Sequence, residues 1–116
     1  MKLKTDDLTL NQYQILAQRT SSSEDPVKKL VNGVMGLNGE AGECIDIVKK
    51  YFFQGHPLDK EKVIEELGDV LWYCAEIAAG LEMDLSDIAN KNVHKLIERF
   101  PDGFSKEDSI NRKEYK

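Results

Sequence analysis

Apolar residues recur every three or four positions along most of this chain, and nowhere does a sustained apolar/polar alternation announce a half-buried strand. The pattern predicts an all-α fold, a four-helix bundle followed by a polar tail over about residues 105–116. Thr9 with Gln12 forms a capping box flanked by a Leu8–Tyr13 staple, which opens the first helix. The loop Ser21-Ser22-Ser23-Glu24 leads to Asp25 as cap and Pro26 at the first helical position, where its missing N–H costs nothing. A long second helix follows, to about Phe53. Gly55-His56-Pro57 stops it, and Asp59, with Leu58 and Val63 as staple, starts a third helix that reaches Gly80 or Leu81. Asp84, with Asp87 in the first turn, opens the fourth, whose Lys95 and Arg99 lie toward the negative end of its dipole before Pro101 and Gly103 end it.

Two acidic segments sit inside this pattern. Glu40-Ala41-Gly42-Glu43 on the second helix and Glu66-Leu67-Gly68-Asp69 on the third share the form E-x-G-[E/D] and lie 26 residues apart. Leu37, Cys44, Ile47 and Tyr51 fall within about 60° of Glu40 on the helical wheel, and Val63, Val70, Tyr73 and Ile77 within the same arc of Glu66. The acids therefore share the core-facing arcs, where an ionised carboxylate costs several kcal/mol unless a cation compensates it. Asp46, Glu65, Glu76 and Glu82 fall outside those arcs and read as solvated charge. The four carboxylates Glu40, Glu43, Glu66 and Asp69 make an all-oxygen set, because neither His56 nor His94 stands three residues after a glutamate, as a di-iron bundle requires. Such a set selects Mg²⁺ first and Mn²⁺ second, and Mg²⁺ characteristically shares its shell with water and substrate phosphates.

Composition narrows the classes. A chain of 116 residues, 41% hydrophobic, suits one domain over residues 1–104 plus the tail. The net charge of −5, with no basic tract, argues against a nucleic-acid polymer as partner. Cys44 and Cys74, thirty positions apart and in apolar stretches, read as reduced core residues. No apolar segment follows the Met1-Lys2-Leu3-Lys4 start, and the run Val70 to Leu81 is interrupted by Glu76 and too short to span a membrane. A cytoplasmic protein is expected.

The acidic pair, with Gly39-Glu40-Ala41-Gly42-Glu43, Glu65-Glu66-Leu67-Gly68-Asp69-Val70-Leu71-Trp72-Tyr73 and the run Lys95-Leu96-Ile97-Glu98-Arg99-Phe100-Pro101-Asp102-Gly103-Phe104, resembles the MazG-like all-α nucleoside triphosphate pyrophosphohydrolases over about residues 26–104. Phe100 stands where that family's run has Tyr. The superfamily also includes dimeric dUTPases and phosphoribosyl-ATP pyrophosphohydrolases. The resemblance implies Mg²⁺ held by Glu40, Glu43, Glu66 and Asp69, and hydrolysis of a nucleoside triphosphate between its α- and β-phosphates. By analogy with the dimeric dUTPases, Glu43 is the expected base for the attacking water.

Other side chains then acquire candidate roles. Lys91, Lys95 and Arg99 recur every four residues and form a ridge suited to phosphate, with Asn92 beside it for sugar or base. Lys50, farther along the second helix on the side of Glu43 and Glu40, is a further phosphate contact, and Tyr73, a turn past Asp69, a nucleoside contact. Trp72 is expected to point away from Glu66 and to pack in the bundle or against another subunit. Exposed apolar residues such as Phe52, Phe53 and Trp72 on a slender fold, together with the family's habit, imply a homodimer or homotetramer. The competing readings are a metal-dependent nucleotide sensor without turnover and a structural bundle with incidental acids.

Overall fold

A computed structural model describes residues 6–112 of the chain. Among the described residues there are five helices and no strand: α1 (Leu10–Gln18), α2 (Pro26–Phe53), α3 (Lys60–Gly80), α4 (Leu85–Arg99) and α5 (Lys106–Ile110). The fold is all-α, as the periodicity predicts. The fifth helix is the departure, since it lies where only a polar tail was expected. Ser105 starts it by accepting the Asp108 N–H at 3.0 Å. Expectations for the Met1–Lys4 start and for residues 113–116 fall outside the described residues.

The caps of α1, α2 and α3 are where the sequence puts them. Thr9 Oγ1 accepts from the Gln12 N–H at 3.1 Å while Gln12 Oε1 accepts from the Thr9 N–H at 2.8 Å. Asp25 accepts from Val27 with Pro26 in the first turn, and Asp59 accepts from Lys62. Gly55, at φ +74°, turns the chain out of α2 in a conformation that a side chain would resist. At the end of α3 that role falls on Glu82, at φ +57°, while Gly80 serves another purpose.

The chain divides into two compact units, the first ending at Leu85 and the second beginning at Ser86. The first is built on α2 packed along α3, with α1 against α3. Three glycines set the α2–α3 spacing. A Cβ on Gly80 would meet the Leu30 nitrogen at 2.8 Å and the Pro26 oxygen at 2.9 Å, and one on Gly33 would meet the Ile77 side chain at 2.5 Å. The ring of Tyr73 lies over Gly36. Residue numbers climb on α2 as they fall on α3, so the helices run antiparallel and the level of Glu40 follows one turn after the Gly36–Tyr73 contact.

α1 is fastened to this pair by polar contacts. Buried Gln14 accepts from the Leu85 N–H at 2.6 Å and donates to the Met83 carbonyl at 2.9 Å. Glu76 corrects the sequence reading: expected to be solvated, it is 1% exposed. Its carboxylate accepts from Gln18 at 2.9 Å, Ser21 at 2.8 Å and Asn32 at 3.3 Å, with the buried Lys29 ammonium 3.8 Å away. The helical wheel hides this, because Glu76 lies off the arc of the other acids, where Gln18 of α1, Ser21 and the α2 residues Lys29 and Asn32 enclose it. By contrast, the buried apolar residues are small or few: Ala17, Ala75, Ala78 and Leu85. Cys44 and Cys74 are free thiols, but each is only half-buried rather than in the core.

The second unit carries α4, α5 and the turn between them. Gly103, at φ +89°, follows Pro101, and the rings of Phe100 and Phe104 lie 5.3 Å apart across that turn. None of the described helices is long and apolar enough to cross a membrane.

Candidate metal centre

The α2–α3 register brings Glu40 level with Glu66 and Asp69. Oxygens of these three carboxylates all lie within 4.8 Å of one another. Glu40 and Glu66 are half-buried and Asp69 is exposed. Like charges at this distance repel. A hydrogen bond to Glu66, followed by desolvation and the charges of Asp69, Glu66 and Glu43, raises the Glu40 carboxyl from 4.5 to about 6. A divalent cation relieves the same repulsion, and the donors are all oxygen, so the residues present fit a hard metal. Glu43 lies outside the 4.8 Å group.

Above the acids is a hollow of about 320 Å³ lined by Glu40, Asp69, Trp72 and Tyr73. Tyr73 is held by its ring contact with Gly36 and meets the Trp72 ring edge-on, centroids 5.0 Å apart. Trp72 packs as expected and does more. It does pack within the fold, its Nε1 donating to the Ala17 carbonyl at 3.0 Å and to Thr20 Oγ1 at 2.9 Å, but it also forms a wall of the acid-lined hollow. The reason is angular: at about 100° per residue, Trp72 is well away from Glu66 but only about 60° from Asp69. Tyr13 of α1 belongs here too. Burial, then the Asp69 carboxylate and Cys74, push its hydroxyl above its ordinary value of 10.0. No spacing rule could have placed Tyr13 beside Asp69, because the docking of α1 is tertiary.

Glu43 instead borders a second hollow, of about 300 Å³, at the α2–α3 turn. Lys50 is there as well, its ammonium 3.0 Å from Asp46. The ridge residues Lys91, Asn92 and Lys95 are exposed on α4 and Arg99 is half-buried near its end, in the second unit.

Residues 32–104 match the family model described as the MazG nucleotide pyrophosphohydrolase domain. The Gene 37 protein of Mycobacterium phage L5 is 36% identical over 114 residues, an alignment covering 86% of this chain and 96% of the phage protein. No solved structure matches.

Proposed function

This chain belongs to the MazG nucleotide pyrophosphohydrolase domain family, and from that premise we propose that it hydrolyses a nucleoside triphosphate between the α- and β-phosphates with Mg²⁺, Mn²⁺ substituting. The observation that supports the reading is the group Glu40, Glu66 and Asp69, whose proximity raises the Glu40 carboxyl to about 6. These residues, joined by Glu43, would hold the metal. Bound there, it neutralises the triphosphate and acidifies water.

The chain's own residues do the rest. Glu43, one turn from Glu40 yet outside the tight group, takes the proton from a water whose oxygen attacks the α-phosphorus. The bond from that phosphorus to the bridging oxygen breaks, and monophosphate and pyrophosphate leave. Tyr73, fixed by Gly36, meets the nucleoside. Lys50, Lys91, Lys95 and Arg99 contact phosphate oxygens, and Asn92 the sugar or base.

The active species is a homodimer or homotetramer. Its support is the thin apolar core beside heavily exposed side chains on α2 and α3, such as Phe53 at 83%, Ile45 at 68% and Leu67 at 59%.

Product analysis tests the proposal. Incubation with a panel of canonical and modified triphosphates and Mg²⁺ yields monophosphate plus pyrophosphate, and the ranking of substrates identifies a dUTPase-like or phosphoribosyl-ATP-like specificity. Binding heat without pyrophosphate release assigns the site to a sensor instead.

A further inference from the structure

The hollow at the α2–α3 turn has a makeup of its own. Lys50, His56 and Lys62 line it together with Glu43, Asp46 and Asp59. Two of the acids are already engaged: Asp46 with the Lys50 ammonium at 3.0 Å, and Asp59 with the Lys62 backbone N–H, which it caps at 3.1 Å. The turn itself delivers His56. Gly55 at φ +74° folds the chain back so that the His56 N–H donates to the Lys50 carbonyl at 3.1 Å, which keeps the imidazole beside the last turn of α2. The start of α3, a 21-residue helix, adds the positive end of its dipole. Hydrogen bonding to Lys50, then the charges of Lys50, Lys49 and His56, hold the Asp46 carboxyl below its usual range.

Position along the helices gives this hollow its meaning. Antiparallel register orders the seam as Trp72 and Tyr73, then Glu40, Asp69 and Glu66, then Glu43, then Lys62, Lys50 and His56. Lys62 precedes Glu66 by one turn, about 6 Å of axial rise, well within the reach of a lysine stem. An aromatic end, an acidic centre and an end where Lys62, Lys50 and His56 gather match the order of base, inner phosphates and terminal phosphates in a nucleoside triphosphate.

We propose that this hollow holds the leaving pyrophosphate, with Lys62 and His56 donating to its terminal phosphate and Lys50 turning from Asp46 toward it, so that the triphosphate lies along the α2–α3 seam with its base toward Trp72. This rests on the pyrophosphohydrolase reading and extends it to residues outside the acidic group and the α4 ridge.

Titration calorimetry of the full chain with inorganic pyrophosphate and Mg²⁺ tests the assignment without turnover. Lys62→Ala and His56→Ala change exposed side chains, so thermal melts should match wild type. Each substitution should weaken pyrophosphate about tenfold and leave nucleoside monophosphate affinity within about twofold, since one charge-assisted hydrogen bond is worth about 1.5–3 kcal/mol. The assignment is overturned if wild type binds no pyrophosphate, if both variants bind it unchanged, if only Lys95→Ala weakens it, or if monophosphate weakens equally. Turnover with pyrophosphate inhibition indifferent to Lys62 and His56 removes the subsite and keeps the enzyme. Pyrophosphate binding that depends on them, without turnover, removes the enzyme and keeps the subsite.

Discussion

At the scale of single residues, the site is a set of charges in places that need a partner. Glu66→Gln or Asp69→Asn removes a proposed metal ligand and one source of repulsion together. Activity should fall at least about a hundredfold. Metal-free thermal stability, read by calorimetry, should hold or rise, because no compensating cation is lost. The raised Glu40 carboxyl makes a separate prediction. Its folded value of about 6 lies above its ordinary 4.5, so the folded state binds more protons in that interval. The associated stability is present below 4.5 and is lost as the pH rises through about 6. Metal-free melts should therefore rise as the pH drops from 7 toward 5, and saturating Mg²⁺ should abolish that rise while itself binding more weakly at the lower pH. Glu76 belongs to a different class. Glu76→Ala strands the buried Lys29 ammonium and should cost about 3–5 kcal/mol in denaturant unfolding, whereas Lys29→Met with Glu76→Leu should lose far less. Of the four acids expected to converge, Glu40, Glu66 and Asp69 were legible as a group because two spacings on two helices meet, whereas Glu43 stands outside it. Glu76 was not, because its burial depends on Gln18 and Ser21, residues with no periodic tie to α3.

At the scale of elements, the α2–α3 pair is a ruler with its spacing set by glycine. Gly80→Ala forces a methyl into backbone atoms of Pro26 and Leu30 and should destabilise by about 1–3 kcal/mol, the usual penalty of overpacking. Gly39, where an added methyl would meet nothing within 4 Å, is the contrasting case: Gly39→Ala should gain about 0.5–1 kcal/mol. Comparison of the two by chemical denaturation separates close approach from simple helix propensity. The starts of α1, α2 and α3 and the end of α2 were readable to within a residue or two because each has a chemical stop or start, from the Thr9 capping box to Pro26 and Gly55, whereas α5 was not foreseen. Glycine's two uses were not separable in advance. Gly80 looks like a helix terminator, yet it is the contact, and Glu82 adopts the left-handed turn.

At the scale of the whole molecule, the fold presents more apolar surface than its own core accounts for. Four small or isolated apolar residues are buried among those described, whereas Ile45, Phe53, Ile64 and Leu67 stand open on α2 and α3. The protein should sediment as a dimer or tetramer, and Leu67→Glu should shift it toward monomer in analytical ultracentrifugation, with a loss of melting temperature that depends on protein concentration. Whether the acidic group holds a metal is read from anomalous scattering of crystals grown with Mn²⁺. A peak is expected among the carboxylates of Glu40, Glu66 and Asp69, and it should vanish in Asp69→Asn. Carboxylates turned out to solvent, with no peak at millimolar Mn²⁺, contradict the metal assignment.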